Sequence, residues 1–218
     1  MRFFGRWWYM SSKLIEWEAL VKEIADCRKC SISFMRKNPV PGEGNLDAEV
    51  MFIGEAPGAR EDEMGRPFVG AAGNLLTKMI EEIGLRREDV FIGNVLKCRP
   101  PGNRDPTDEE VNNCLPFLIR QIKLIQPRII VTLGRFSAKV IAELAGLRFR
   151  GITRERGNVR EIILFDRRVI FLPTYHPAAA LYRPPLLEDL KSDFNKLKEI
   201  LERKGVEAKR KGTLDEYF

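Results

Sequence analysis

Apolar positions along this chain follow two rhythms: short unbroken runs, and longer stretches with apolar residues three or four apart. Residues 13–25 carry Leu14, Ile15, Leu20, Val21 and Ile24 close to a helical stripe, and residues 71–83 turn Leu75, Leu76, Met79, Ile80 and Ile83 inward with Gly84 as a stop. Between them, residues 50–53 form a continuous apolar run that reads as a first strand, with a second over 90–96. Thr107 with Glu110 three residues later predicts a capping box that opens a helix through about Ile125. A strand over 128–133 and a helix over 135–144 follow. Residues 159–165 and 169–173 read as a hairpin joined by Asp166-Arg167-Arg168, and a last helix covers 186–204.

Strands that alternate with helices imply an α/β fold whose mainly parallel sheet is covered on both faces and joined by right-handed crossovers. At 218 residues the chain is most simply one domain, taken as 1–204, followed by a tail over 205–218. Lysine and arginine number 37 against 31 acidic residues, and the net +6 favours an acidic partner such as nucleic acid. There is no apolar run long enough to cross a bilayer, and the aromatic start Phe3-Phe4-Gly5-Arg6-Trp7-Trp8 is too short for a signal peptide, so the expectation is a cytoplasmic protein with no membrane contact. Two glutamines beside 31% charged residues hint at a thermophilic source.

The loop after the first strand, residues 54–70, brings glycines, a cluster of acids and Phe68 to the carboxyl end of a strand, where open α/β sheets place their ligands. His176, the chain's single histidine, follows the last strand, and Asn94 closes the second. Glu55, Asn94 and His176 are therefore expected to line one crevice that offers a carboxylate, an amide and an imidazole. Neither a Gly-x-Ser-x-Gly elbow, a His-Glu-x-x-His motif nor a P-loop is present, which argues against serine hydrolase, zinc protease and nucleotide hydrolase chemistry.

All four cysteines fall in one pattern: Cys27-x2-Cys30, 67 intervening residues, then Cys98-x15-Cys114. Four thiolates from a helix end, a loop after a strand and a helix can converge on one centre, the alternative being unrelated thiols or disulfides. Spacing alone does not separate zinc from a [4Fe–4S] cluster.

The run Gly54-Glu55-Ala56-Pro57-Gly58 with Gly65-Arg66-Pro67-Phe68-Val69-Gly70, then Asn94-Val95-Leu96-Lys97-Cys98-Arg99-Pro100-Pro101, then His176-Pro177, closely resembles the family 4 uracil-DNA glycosylases, the iron–sulfur enzymes of thermophilic bacteria and archaea. The resemblance covers residues 22–201 and interleaves correctly with the cysteines. It implies a three-layer α/β/α fold with a central, mainly parallel four-stranded sheet, and a monomeric, nucleoid-associated base-excision repair enzyme that hydrolyses the N-glycosidic bond of deoxyuridine in single- or double-stranded DNA. It also implies a structural [4Fe–4S] cluster on Cys27, Cys30, Cys98 and Cys114.

Under that resemblance each crevice residue acquires a task. Phe68 stacks on a base turned out of the helix, and Asn94 hydrogen-bonds to uracil N3–H and O4, a pattern that cytosine reverses. Glu61 forms the pocket wall that excludes the thymine methyl group. Glu55 faces the oxocarbenium-like sugar and orients or deprotonates the attacking water, while neutral His176 donates to uracil O2. Backbone amides at Ala56 and its neighbours add donors for water or base. Leu181 is the candidate wedge into the duplex, with Arg183 as a following cation. Residues 148–168 carry seven arginines against three acids, a local +4 suited to phosphate.

In the tail, Leu214, Tyr217 and Phe218 match the spacing of a sliding-clamp binding peptide, although Lys211 stands where that peptide usually has glutamine. Two other functions compete with uracil excision: a glycosylase of broader lesion range, and a non-enzymatic iron–sulfur protein that binds nucleic acid. Only the enzymes need Glu55, Phe68 and His176.

Overall fold

The computed structural model describes the backbone of residues 4–212 and the side chains of residues 12–203. The proposed clamp-binding residues Leu214, Tyr217 and Phe218 lie outside the described residues. Six strands make one sheet: β1 (Glu43–Gly44), β2 (Val50–Gly54), β3 (Phe91–Asn94), β4 (Ile129–Leu133), β5 (Arg160–Leu164) and β6 (Arg167–Thr174). Their spatial order is β1-β3-β2-β4-β6-β5, with β3, β2, β4 and β6 parallel and β1 and β5 antiparallel at the edges.

The expected four-stranded sheet is thus the parallel centre of a six-stranded one. β5 is the outer arm of the expected hairpin. β1 is a two-residue pairing within the proline- and glycine-rich stretch that precedes the first core strand, too short to leave an alternating pattern.

The eight helices among the described residues are α1 (Phe4–Asp26), α2 (Ala59–Met64), α3 (Ala71–Glu82), α4 (Asp108–Ile125), α5 (Arg135–Leu144), α6 (Ile152–Glu155), α7 (Pro177–Tyr182) and α8 (Pro185–Gly212). Strand alternation divides the core in two. Met51, Ile53, Phe91, Ile130 and Phe171 pack with Leu20 and Ile24 of α1, Phe117 and Leu118 of α4, and Ile141 of α5. On the other face Val50, Phe52, Ile92, Val131 and Leu172 pack with Leu76 and Ile80 of α3, Ala180 of α7, and Leu190 and Phe194 of α8. Each fully buried side chain of this kind is worth about 1.5–3 kcal/mol. Among the described residues no helix is long and apolar enough to cross a membrane.

Connections position the site. From β2 the chain crosses by α3 to β3 on one side. From β4 it crosses by α5 and a short edge strand to β6 on the other. The carboxyl ends of β2 and β4 therefore flank a topological switch point, the place where such sheets leave a crevice.

Candidate active site

At that crevice lies a cavity of about 350 Å³, lined by Glu55, Ala56, Glu61, Phe68, Asn94 and His176 among others. Every cavity residue expected from the sequence is brought together there. Parallel register is the reason: Gly54 of β2 stands opposite Asn94 of β3, so Glu55 and Asn94 leave the sheet side by side. Leu133 of β4 stands opposite Thr174 of β6, which puts His176 two residues beyond the same edge. Leu181 and Arg183 do not line the cavity. Leu181 sits on α7, 46% exposed, beside Tyr182 at 86%.

The aromatic wall depends on close backbone contacts. Phe68 is buried at φ +50°, and its ring lies 5.5 Å from that of His176 with 28° between planes. A Cβ on Gly54 would come within 2.3 Å of Asn94 Oδ1 and 2.7 Å of the Phe68 ring, and one on Gly73 within 1.9 Å of the Phe68 carbonyl oxygen. Neither position tolerates a side chain without displacing the wall. Glu61, on α2, completes the arrangement: its Oε1 accepts from the backbone N–H groups of Val69 and Gly70, each at 2.9 Å. The Glu61 carboxylate thus closes the turn that presents Phe68.

Polar groups in the cavity are strongly perturbed. Burial, together with the nearby Asp105 carboxylate, raises the Glu55 carboxyl to about 7, against the opposing pull of Arg135. Asp105 and Arg135 themselves pair at 2.5 Å. His176 is lowered to about 4 because protein surrounds its ring, with the Glu61 charge opposing. Its Nδ1 accepts from the Ala178 N–H at 3.2 Å. Asn94 is 1% exposed, and its Oδ1 has no hydrogen-bond partner. A buried amide oxygen without a donor costs about 1–3 kcal/mol, which a ligand N–H can recover.

Nothing in the local sequence pattern marks the opposite wall. Pro100, Asn103 and Arg104 line the cavity from the proline-rich loop after β3. Arg104 is held by two contacts to Glu110, at 2.9 and 2.6 Å, and Asn103 accepts from Arg99 at 2.8 Å. Proline and glycine density identifies this stretch as a loop, but only the fold shows that it lines the same cavity as Glu55.

The four cysteines ring a second, small cavity that also touches Lys97, Arg36 and Phe117. Cys27 follows α1, Cys30 precedes a short 3-10 turn, Cys98 lies in the loop after β3 and Cys114 on α4. Arg36 Nη1 donates to Cys98 Sγ at 2.9 Å and the Lys97 N–H donates to Cys114 Sγ at 3.4 Å. Burial raises the Cys30, Cys98 and Cys114 thiols, Cys114 to about 11. Among the described residues no three His, Cys, Asp or Glu side chains close around a single point as they would about one ion. Lys97, buried and lowered to about 8 by that burial, lines the thiol cavity and reaches from it toward Asn94. Its Nζ donates to the Asn94 carbonyl at 2.5 Å and to Gln121 Oε1 at 2.6 Å.

Residues 41–202 match the sequence model of a family described as the uracil DNA glycosylase superfamily. A type-4 uracil-DNA glycosylase of Archaeoglobus fulgidus is 54% identical over 185 residues, which covers 85% of this chain and 93% of that protein. One from Saccharolobus solfataricus is 49% identical over 92% of this chain and 91% of its own length. One from Thermotoga maritima is 43% identical over 86% and 96%.

Proposed function

This chain belongs to the uracil-DNA glycosylase superfamily and is a DNA repair glycosylase acting on uracil, and we propose that the cavity at the carboxyl end of the sheet receives the base and releases it. The observation that carries the assignment of the pocket is Asn94 Oδ1, buried and without a donor. Uracil offers N3–H to that oxygen and O4 to the amide group, whereas cytosine offers an acceptor and a donor in their place.

Water attacks the sugar C1′ as the bond from C1′ to N1 breaks, and the bonding pair leaves with the base. Glu55 stands by for the water and for the positive sugar. Its elevated affinity for protons fits a group that takes one near neutral pH. His176 supports the departing base. With Nδ1 occupied as an acceptor, the single proton of its neutral ring lies on Nε2, ready to donate to uracil O2 as charge gathers there. Phe68 supplies the stacking face, Glu61 backs it and narrows the wall against a thymine methyl group, and the Ala56 amide adds a donor at the rim. Leu181 on α7 and Arg183 just past its end, both exposed and outside the cavity lining, are assigned to the duplex left behind.

For the second cavity we assign a [4Fe–4S] cluster to Cys27, Cys30, Cys98 and Cys114. Four thiol donors around one small cavity, with a guanidinium and a backbone N–H already aimed at two of the sulfurs, fit an anionic thiolate centre. The cluster fastens α1, the loop after β3 and α4 together. A sliding clamp as partner through Leu214, Tyr217 and Phe218 rests on their spacing.

The test uses labelled oligonucleotides identical except for deoxyuridine, thymidine, deoxycytidine or deoxyinosine at one position, treated with alkali after incubation. Scission confined to deoxyuridine is expected. Intact deoxyuridine strands would overturn the reading, and equal scission at deoxyinosine would replace it with a broader glycosylase.

A further inference from the structure

The arginine-rich stretch over 148–168 is not uniform once folded. Arg156 is held by Asp193 at 2.7 Å and Asp189 at 3.2 Å, Arg160 by Glu155, Arg168 by Glu161 at 3.1 Å, and Arg167 by Gln126 Oε1 at 3.1 Å. Arg148, Arg150 and Arg154 remain. All three are exposed, and among the described residues none of their guanidinium groups has a carboxylate or hydrogen-bond partner.

These three side chains line one open groove of about 620 Å³. Glu155, the acid in its lining, is 5% exposed and contributes little charge to the surface. One of its oxygens accepts from the Arg150 N–H at 3.3 Å and the other pairs with Arg160. The groove therefore shows solvent three uncompensated guanidinium groups over a neutralised floor.

Its position ties it to the active site. The Gly157 N–H donates to the Pro173 carbonyl at 2.8 Å, near the end of the strand that leads to His176, and Arg156 lies over the Tyr175 ring at 5.5 Å. Arg160, in the groove lining, pairs in register with Phe171, three residues before Thr174, which puts it roughly 10 Å along the strand from the rim. An open concave row of guanidinium forks fits a chain of phosphates, each of which can take a bidentate contact.

We propose that Arg148, Arg150 and Arg154 form a second DNA contact, gripping the sugar–phosphate backbone away from the flipped nucleotide and past the Tyr175 side of the cavity. This inference rests on the glycosylase reading for its partner. The groove contributes affinity and search along undamaged DNA, and no chemistry.

The experiment measures binding of the full chain to an undamaged duplex over a range of salt, which requires no base excision. Arg148→Gln, Arg150→Gln and Arg154→Gln together are expected to reduce the slope of log K against log salt by about 2 to 3, at roughly 0.9 for each phosphate left without its cation. The single change Arg154→Gln should lower it by about 0.9 through the same relation, which guards against a triple variant that folds badly. Lys78→Gln, Lys139→Gln and Lys191→Gln, an equal charge loss on the surfaces of other helices, should leave the slope close to that of the unaltered protein. Single-turnover excision at saturating protein should not change in the groove variant. An unchanged slope in that variant, or an equal loss in the lysine control, would overturn the proposal. Duplex binding with the expected slopes but no uracil release would instead overturn the glycosylase reading and leave the groove standing.

Discussion

The backbone N–H of Ala178 donates to Nδ1 of His176 at 3.2 Å, and this one contact leaves the proton of the neutral ring on Nε2. The contact comes from the start of α7, whose first residue, Pro177, has no N–H to offer, so the Ala178 N–H meets the side chain of its own N-cap residue. Burial lowers the ring to about 4, so His176 is neutral throughout the physiological range. In the proposed role the ring donates to developing charge, so replacement by alanine should lower kcat by about 10²–10³-fold with little change in KM. Proton titration of the ring by NMR should find no protonation down to about pH 5. Because the folded value lies below the ordinary 6.5, the contribution of His176 to stability is present above pH 6.5 and lost as pH falls through about 4.

Glu55 has the opposite sign. Its folded value is raised from 4.5 to about 7, so the stability linked to its protonation is complete below pH 4.5 and lost as pH rises through about 7. The proposed mechanism uses the carboxylate, so single-turnover excision should decline below about pH 7 with unit slope. Glu55→Gln should melt higher than the unaltered protein at pH 8 and together with it at pH 4. Calorimetry at the two pH values checks both directions.

Glu61 closes the turn that carries Phe68, through Val69 and Gly70. Hydrogen bonds to a charged acceptor are worth about 1.5–3 kcal/mol each, so Glu61→Ala should loosen the wall more than it harms the chemistry. The expected signature is a rise in KM that exceeds the fall in kcat, with reduced discrimination between uracil and thymine. Kinetics on paired substrates read both effects.

For the thiol centre, Cys114→Ser should release iron and sulfide measurable by elemental analysis, remove visible absorbance and lower the melting temperature. Burial opposes the Cys114 thiolate strongly, to about 11, so a cationic partner is required if it is to ionise at neutral pH. Zinc without iron in the purified protein would contradict the cluster.

Signals in the sequence are legible where the interaction itself is local. Thr107 and Glu110 exchange the expected bonds, at 3.2 and 2.9 Å, and α4 ends at Ile125 as its apolar stripe predicts. α5 spans Arg135–Leu144 at both expected bounds. Helices of six residues, α2 and α7, are too short for a period to emerge, so the pattern around Glu61 and Leu181 reads only as loop. The wall built by Asn103 and Arg104 leaves no local trace because it arises from a loop folding over a distant strand end, which no window of sequence contains. Lys97 as the link between Asn94 and the thiols is hidden for a related reason. A lysine between Leu96 and Cys98 looks like surface, and only the packing of α4, through Gln121, shows it to be buried.

The central claim is that Glu55, at the end of β2, drives removal of uracil in the cavity it shares with Asn94 and His176. Single-turnover excision from a deoxyuridine oligonucleotide, compared between the unaltered chain and Glu55→Ala, tests it most directly. The expected result is complete scission by the unaltered chain and a rate at least about 10²-fold lower for the variant, in line with the loss of a positioned base, with binding of the same oligonucleotide retained. Full activity in Glu55→Ala would contradict it.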